Sequence, residues 1–332
     1  MASDRLRVLV LTGGTSSERE ICLRSGAKVM AALDPARYEV TQMDLANLAG
    51  PQAGCLARAL FAPGACEPEA DGRPDVVFIA LHGGPGEDGT VQGMLELLGI
   101  PYTGSGVLAS ALAMNKIVSK RIFEREGIPT PRWLPLRAAE RAGAGRAVLE
   151  ALRLPCVVKP ACEGSTIGVT VVRDPAEIEP ALEEAFRYGP EALAEEYIAG
   201  VEISGPVLGE EALPLVEIVP RSGFYDYEAK YTPGATEEIV PARIPAWQAA
   251  RARELTLAAH RVLGCRGMSR VDMMASEDEV YVLEVNTIPG MTETSILPRA
   301  AEAVGMTFSQ VVDRLIELAL EERGRHGARR GL

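Results

Sequence analysis

Short apolar segments alternate with amphipathic ones along the N-terminal third of the chain, and this alternation constrains the fold more than any other feature. The segment PDVVFIAL (74–81) is a continuous apolar run, which is typical of a strand covered on both faces. Two further strands are predicted at RVLVL (7–11) and YEVTQMD (38–44), with a helix between them over residues 18–33. A second helix follows HGGPGEDGT (82–90). The pattern predicts an α/β half-domain at the start of the chain.

The rest of the chain contains further strand and helix signals. Residues 105–127 predict one long helix, and residues 56–73 predict a weak helix followed by a polar loop. Later strands are predicted at CVVKP, VTVV, LAEEYI, ALPLVEIV, MSRVDMMA and VYVLEV. Among them lies a polar segment rich in Gly and Tyr, residues 221–245, which predicts a functional lid or a disordered loop. With 332 residues, 47% of them hydrophobic, the chain is long enough for two or three domains.

Composition argues against several functional classes. A formal net charge of -12 argues against binding to nucleic-acid backbones. No apolar run approaches the roughly 20 residues of a membrane span, and the first residues resemble a strand rather than a signal peptide. Six scattered cysteines without a C-x-x-C pair predict free thiols in a reducing compartment, and three histidines are too few for a multi-histidine metal centre. We therefore expect a soluble, cytoplasmic protein.

Polar residues interrupt two apolar strands near the C-terminus. In YVLEVNTIPGMT, Glu284 and Asn286 are two residues apart, and so are Arg270 and Asp272 in SRVDMM. Side chains two apart on a strand face the same side, so a hairpin across ASEDE would bring the oxygen ligands together. Oxygen ligands without imidazole or thiolate suit Mg²⁺. The competing interpretation is a solvated sheet rim, but carboxylates within VLEVN are costly unless something pairs with them, which favours a metal site.

Three other motifs carry weaker signals. VVKPACEGSTIGV places Lys159 at a strand end before a Gly-rich turn, which suits a phosphate site but lacks the Walker pattern. In GGTSSERE, Ser17 and Glu20 fit a capping box, which leaves Glu18 without a structural role. The full G-x-G-x-x-G fingerprint is absent, which argues against an NAD-dependent oxidoreductase. His82 is followed by glycines that allow backbone to approach a ligand.

Taken together, these motifs resemble the D-alanine–D-alanine ligases of the ATP-grasp superfamily. The blocks GGTSSEREICLRSG, LHGGPGEDGTVQGMLELLGIPYTGSGVLASALAMNK, VVKPACEGSTIGV, FYDYEAKYTPGAT, SRVDMM and LEVNTIPGMTETSILP occur in the family's order over nearly the whole chain. The resemblance implies ligation of two D-alanines through an acyl phosphate made from ATP, for peptidoglycan. It also implies an α/β fold of three domains: a Rossmann-like domain (1–104), a central ATP-grasp subdomain (105–196) and a C-terminal one (197–332) with a lid (221–245).

On the nucleotide side, the resemblance implies two Mg²⁺ ions, with Mn²⁺ as an alternative, bound by Asp272, Glu284 and Asn286. It implies four contacts to ATP, two to the phosphates and one each to adenine and ribose: Lys116, Lys159, Glu195 and Glu202.

On the substrate side, Glu18 resembles the group that binds the first ammonium, supported by Ser165 and Tyr231. Arg270 and the backbone N–H of Gly290 resemble the oxyanion hole. The resemblance further implies that His82 lies near the first D-alanine. It also implies that the carboxylate of the second D-alanine is bound by Lys230, Ser295 and the backbone of Ile296.

Several alternatives stay open at this stage. Tyr231 in EAKY argues against a ligase that joins D-alanine to D-lactate. D-serine as the second substrate is harder to exclude, because an added hydroxyl is a small difference to a pocket. A non-catalytic ATP-binding regulator should have lost ligands or Arg270, and all are present. Gly205 and Pro206 in ISGPVLG predict an edge strand or a bulge. Homodimers are usual in the family, but the sequence identifies no interface.

Overall fold

Three β-sheets form the framework of the protein. The computed structural model describes residues 5–46, 73–221, 223, 225, 230, 232, 234–292 and 295–329, with backbone alone for 325–329. The helix and loop predicted over 56–73 lie outside these residues except for Arg73. The same holds for most of 222–233, within the predicted lid.

The first sheet is parallel and corresponds to the predicted N-terminal half-domain. Its strands lie in the order β2–β1–β3. All four residues of β3 are buried, as the continuous apolar run predicts. The elements of this region are β1 (Leu6–Thr12), α1 (Arg19–Ala32), β2 (Tyr38–Asp44), β3 (Val76–Ile79) and α2 (Thr90–Leu98).

The N-terminus of α1 differs from the prediction. The N-cap is Glu18 and no side-chain hydrogen bond caps the helix, so the predicted capping box of Ser17 and Glu20 is wrong. The Ser16 hydroxyl instead accepts from the Glu18 N–H at 3.3 Å and donates to the His82 carbonyl at 2.7 Å. Glu18 thus lies at the start of α1, where the helix dipole favours a carboxylate.

The single helix predicted over 105–127 is two helices, α3 (Val107–Met114) and α4 (Lys116–Arg125). Asn115 separates them in an extended conformation, and its side chain accepts from the backbone N–H groups of Ile117 and Val118, both at 3.1 Å. Asparagine is a strong N-cap because its side-chain oxygen satisfies these free donors. The break places Lys116 at the first turn of α4.

The second sheet is antiparallel, with strand order β4–β7–β5–β6. Two helices pack on one face around a core that includes Val148, Val158 and Leu182. The elements are β4 (Trp133–Arg137), α5 (Ala144–Ala151), β5 (Cys156–Pro160), β6 (Thr170–Val172), α6 (Ile178–Phe186) and β7 (Glu191–Glu196).

The third sheet has the strand order β11–β10–β8–β12–β13, with β9 paired to β8. The helix α7 packs on it, and the helices α8 and α9 follow. The elements are β8 (Val201–Leu208), β9 (Glu211–Ala212), β10 (Val216–Pro220), β11 (Thr236–Ile239), α7 (Ala246–Val262), β12 (Met268–Ala275), β13 (Val280–Asn286), α8 (Ile296–Glu302) and α9 (Phe308–Arg329). In the described part of the chain, no helix combines the length and apolar character needed to cross a membrane.

Strand β8 is internal, so the prediction of an edge strand at Gly205 and Pro206 is wrong. β8 pairs with β12 along its whole length. On its other side it pairs with β10 up to Ser204 and with β9 from Val207, so Pro206 falls in the gap between the two pairings. A Cβ on Gly205 would lie 2.0 Å from Thr256 Oγ1 of α7. Glycine therefore allows α7 to pack directly on the strand.

The α/β class is confirmed by these elements. The buried cluster beneath the third sheet includes Ala109, Ala113 and Phe123, from the segment that the sequence assigns to the central subdomain. The domain boundaries at 104 and 196 stay predictions.

Candidate active site

The β12–β13 hairpin brings the three predicted metal ligands to one strand end. Asp272 lies opposite Glu284, and Arg270 lies opposite Asn286. The Asn286 amide donates to Asp272 Oδ2 at 3.0 Å. The spatial convergence expected from the i, i+2 spacing is therefore observed, while metal binding by these residues stays a prediction.

Asp272 is oriented by several protein donors. Arg270 donates to it from Nε to Oδ1 at 2.9 Å and from Nη2 to Oδ2 at 2.7 Å, and Nε also donates to Oδ2 at 3.2 Å. The Ser204 hydroxyl also donates to Oδ1. Burial by itself lowers the pKa of Arg270, but the neighbouring Asp272 carboxylate has the larger effect, so the pKa is raised above its usual range. Arg270 therefore stays charged at any pH of interest.

Lys116 contacts the other predicted carboxylate ligand. Its ammonium lies 3.1 Å from Glu284 Oε2 and donates to the Glu163 carbonyl. Burial raises the pKa of Glu284, but Lys116, Lys159 and Lys230 together lower it well below its usual range. Glu284 is thus an ionised carboxylate surrounded by cations, as a site for phosphate and metal requires.

Glu195 is shared by two lysines. Lys159 donates to its Oε1, and the Lys120 ammonium lies 2.8 Å from its Oε2. The side chain of Lys120 is 0% exposed, and its ammonium also donates to Thr130 Oγ1 at 2.6 Å. Burial lowers the pKa of Lys120 to about 8 in spite of Glu195.

A cavity of about 140 Å³ is lined by several of these charged groups. It contains all four predicted ATP contacts together with Asp272 and Glu284, and apolar side chains such as Val157 and Met274 complete its wall. Burial raises the pKa of Glu202 to about 7, although Lys230 opposes the effect.

A second cavity, of about 80 Å³, is lined by the predicted substrate residues: Glu18, His82, Ser165, Lys230, Arg270, Gly290, Ser295 and Ile296. Gly164, Tyr225 and Lys230 line both cavities, so the two cavities are neighbours.

Glu18 joins the N-terminal region to the Gly-rich loop after β5. Its side chain is buried, and the Ser165 hydroxyl donates to Glu18 Oε1. Ser165 and Thr166 both have positive φ angles, +50° and +62°, which non-glycine residues rarely adopt. A Cβ on Gly83 would lie 2.7 Å from Glu18 Oε2. Backbone from two loops therefore approaches this carboxylate closely.

The turn after β13 presents backbone donors. In the described ranges, no group accepts a hydrogen bond from the Gly290 N–H. The Ser295 hydroxyl accepts from the Thr292 N–H at 2.9 Å, and Ile296 is the first residue of α8, where backbone N–H groups lack intrahelical partners. The arrangement suits a negatively charged ligand next to Gly290 and Ile296.

His82 lines the small cavity, but both of its ring nitrogens have protein partners. Nδ1 lies 3.0 Å from the Ile288 carbonyl, and Nε2 lies 3.0 Å from Ser25 Oγ. Because a carbonyl only accepts, Nδ1 carries the proton. Burial lowers the pKa of His82, so the ring is neutral.

The predicted lid is described only in part. Tyr231 lies outside the described residues, so its assignment stays a prediction. The Lys230 ammonium lies 5.0 Å from the centroid of the Tyr225 ring, and the Tyr225 carbonyl accepts from Thr166 Oγ1 at 2.8 Å. The lid is thus connected to the Gly-rich loop.

Comparisons with known proteins identify the family of this chain. The family model for the D-ala D-ala ligase N-terminus matches residues 61–105, and that for the D-ala D-ala ligase C-terminus matches residues 122–317. The chain belongs to the D-alanine–D-alanine ligase family.

Relatives of this ligase family match over nearly full length. The D-alanine–D-alanine ligase of Moorella thermoacetica is 47% identical over 95% of this chain and 100% of its own. The Bacillus anthracis ligase complexed with ATP has a TM-score of 0.82 at 36% identity, covering 97% of this chain and 99% of that one. The VanG D-Ala:D-Ser ligase of Enterococcus faecalis has a TM-score of 0.79 at 32% identity, covering 95% and 99%. The predicted ATP-grasp fold is confirmed.

The donor set of this D-alanine–D-alanine ligase family member fits magnesium in its chemistry. Among the described residues, no group of three or more His, Cys, Asp and Glu side chains is arranged to bind a metal. Asp272, Glu284 and Asn286 supply two carboxylates and one amide, so the remaining ligands have to come from phosphate or water oxygens. Mg²⁺ is usually bound in this way.

Several residues of the site were not predicted, among them Lys120, Glu87 and Ser204. Lys120 is four residues after Lys116 on the same helix, and this spacing, which places both side chains on one face, could have indicated it. Glu87 lies within the motif HGGPGEDGT but was given no role, and Ser204 reaches Asp272 only through strand pairing. The sequence carried no signal for Ser204.

Proposed function

We propose that this chain ligates two molecules of D-alanine, using ATP, to give D-alanyl-D-alanine, ADP and phosphate for peptidoglycan synthesis. The observation that supports this most is the common wall of the two cavities, formed by Gly164, Tyr225 and Lys230. A nucleotide phosphate in the larger cavity would lie next to a small amino acid in the smaller one.

The reaction takes place in two steps. A carboxylate oxygen of the first D-alanine attacks the γ-phosphorus of ATP, and the bond to ADP breaks. The second D-alanine loses a proton from its ammonium, and its amine attacks the acyl carbon to form a tetrahedral oxyanion. The carbon–oxygen bond to phosphate then breaks and the nitrogen loses a further proton, which leaves an amide.

The substrate residues bind and orient the two amino acids. Glu18, oriented by Ser165, pairs with the first ammonium. Arg270 and the Gly290 N–H face the oxyanion, where preorganised donors act most strongly. The carboxylate of the second D-alanine is bound by Lys230, Ser295 and Ile296, and Tyr231 closes the lid.

The phosphate side neutralises charge. Lys116 and Lys159 contact the phosphates, with Glu195 at the adenine and Glu202 at the ribose. When Lys159 moves from Glu195 to a phosphate, Lys120 remains to pair with the buried carboxylate. This exchange avoids leaving Glu195 buried without a cation.

Asp272, Glu284 and Asn286 would hold the magnesium, which we propose as two ions. When bound, the metal supplies positive charge that stabilises the phosphate oxygens during transfer.

We also propose a cytoplasmic homodimer that binds small molecules and neither nucleic acid nor membrane. The described cysteines, Cys22, Cys156, Cys162 and Cys265, are free thiols, as in a reducing compartment. Leu97 is 92% exposed and Leu108 is 71% exposed, on the neighbouring helices α2 and α3. These leucines are where we expect the second copy to pack.

The test is phosphate release from ATP and Mg²⁺ with D-alanine, L-alanine, D-serine or D-lactate, with products weighed by mass spectrometry. Release with D-alanine alone and a dipeptide mass is the expected result. The likeness to a D-Ala:D-Ser ligase makes the mixed product with D-serine the second candidate. Release only with D-lactate present would overturn the assignment of Tyr231, and no release with any acid would indicate a regulator.

A further inference from the structure

The turn Ile288–Met291, which carries the Gly290 N–H, follows the end of β13. Its backbone is hydrogen-bonded to side chains of the N-terminal region of the chain. Three side chains make these contacts: Ser25 of α1, and His82 and Glu87 of the loop between β3 and α2.

His82 fixes the carbonyl side of the turn. Its Nδ1–H donates to the Ile288 carbonyl at 3.0 Å. The backbone of His82 is itself anchored, because its carbonyl accepts from Ser16 Oγ at 2.7 Å and its N–H donates to Cys22 Sγ at 3.1 Å. The imidazole is therefore a rigid donor.

Ser25 connects the ring to the far end of the turn. With Nδ1 protonated, Nε2 has a lone pair, so the Ser25 hydroxyl donates to it. The Ser25 oxygen in turn accepts from the Met291 N–H at 3.3 Å. Ser25 is buried, so a lost partner is not replaced by bulk water.

Glu87 fixes the amide side of the turn. Its Oε1 accepts from the Ile288 N–H at 3.2 Å, and its Oε2 accepts from the Gly83 N–H at 2.7 Å. One carboxylate thus joins the loop after β3 to the turn after β13. Both polar groups of the Ile288 backbone are bound by the N-terminal region.

We infer that Ser25, His82 and Glu87, here called the turn clamp, are positioning residues that aim the Gly290 N–H at the reacting carboxyl group. His82 acts as a hydrogen-bond donor to backbone rather than as a substrate ligand or a proton acceptor. The inference deepens the proposed function and rests on it for the identity of the reaction, while the clamp itself is defined by contacts.

The first test measures the clamp without activity. Hydrogen exchange of peptides spanning 286–292, followed by mass spectrometry, reports on the Ile288 and Met291 amides. We expect faster exchange of this segment in Ser25→Ala and Glu87→Gln than in the wild-type protein. Unchanged exchange in both variants would overturn the clamp, whatever the protein catalyses.

The second test uses a pair of substitutions at His82. The side-chain amide nitrogen of asparagine occupies the position of the histidine Nδ1, and that of glutamine occupies the position of the histidine Nε2. H82N therefore keeps the donor to the Ile288 carbonyl, and H82Q loses it. We expect H82Q and Ser25→Ala to lower kcat by roughly 10- to 100-fold, a loss typical of a small misplacement of reacting groups. KM for ATP and for D-alanine should change little, and H82N should retain most of kcat.

His260 provides the matched control. It is also a buried histidine, and its Nδ1 is hydrogen-bonded to Ser269 Oγ at 2.7 Å, but it lies outside both cavities. H260N should leave kcat and exchange at 286–292 unchanged. Equal loss of kcat in H82N and H82Q would overturn the donor role, and a raised KM for D-alanine at constant kcat would show a substrate ligand instead. An inactive wild-type protein would refute the proposed function and leave the exchange result to decide the clamp.

Discussion

Substituting Gly290 by alanine tests how precisely the Gly290 N–H has to be placed in the proposed oxyanion hole, because alanine keeps this N–H and adds a Cβ. A Cβ at this position would lie 2.7 Å from Ser295 Oγ and 3.4 Å from Ser295 Cβ. Contacts below 3.0 Å essentially never occur for a real Cβ, so something has to shift. The Ser295 hydroxyl is hydrogen-bonded to the Thr292 N–H and to Thr292 Oγ1, at 2.9 and 2.8 Å, which restrains its retreat.

The size of the effect follows from the required movement. Reaching the limit of 3.0 Å needs a shift of 0.3 Å, and reaching ordinary contact at 3.4 Å needs 0.7 Å. Movements approaching ~1 Å cost up to about 100-fold in rate, and complete loss of one oxyanion donor costs about 2.7–4 kcal/mol. We therefore expect Gly290→Ala to lower kcat by about 10- to 100-fold, with a higher KM for the second D-alanine because Ser295 is displaced.

Steady-state phosphate release at varied D-alanine concentration gives both constants, and Gly324→Ala is the control. Gly324 lies on α9 with open space around its Cβ position, so this substitution should leave kcat unchanged. A Gly290→Ala variant that folds and turns over at the wild-type rate would refute this reasoning, because the added Cβ would then be accommodated without displacing the Gly290 N–H or Ser295.

Three further outcomes are expected. Asp272→Asn should abolish ATP turnover while the circular dichroism spectrum is retained, and unchanged phosphate release would remove Asp272 from the metal site. Lys120→Met should lower the free energy of unfolding in urea by ~2 kcal/mol, which is less than the roughly 3–5 kcal/mol typical of a broken buried pair, because Lys159 still pairs with Glu195. The same variant should bind ATP more weakly in calorimetry. Equal affinity for ATP would refute the proposed transfer of Glu195 from Lys159 to Lys120. Burial lowers the pKa of His260 to about 4 from its ordinary 6.5, so the unfolded chain binds more protons between these values and stability falls as pH drops through this window. Between pH 7.5 and pH 5 this linkage amounts to about 2 kcal/mol, and His260→Asn should remove it. Urea unfolding at the two pH values measures the change, and an unchanged pH dependence would contradict the neutral ring.

Local signals accounted for much of the fold. The continuous apolar run at Val76–Ile79 predicted a covered strand, and the i, i+2 spacing of Glu284 and Asn286 predicted one side chain cluster at a hairpin end. Both patterns arise from burial or from the pleat of a strand, which can be inferred from residues close together in the sequence. They need no knowledge of distant contacts.

Long-range packing accounted for the errors and omissions. Pro206 indicates an edge by itself, but the change of partner strand from β10 to β9 accommodates it inside the sheet. Lys120 is fully buried, although lysine side chains are usually exposed. Its burial is tolerated only because the ammonium pairs with Glu195 and donates to Thr130. His82 and Ile288 are 206 residues apart, so no local pattern relates them.

The central claim is that an acyl phosphate of D-alanine forms in this site. D-alanine labelled with ¹⁸O in both carboxylate oxygens tests it, with the released phosphate analysed by mass spectrometry. Transfer of one labelled oxygen to each phosphate released is the predicted result, because the carbon–oxygen bond breaks in the second step. Dipeptide formation with unlabelled phosphate would contradict the acyl phosphate and the roles assigned to both cavities.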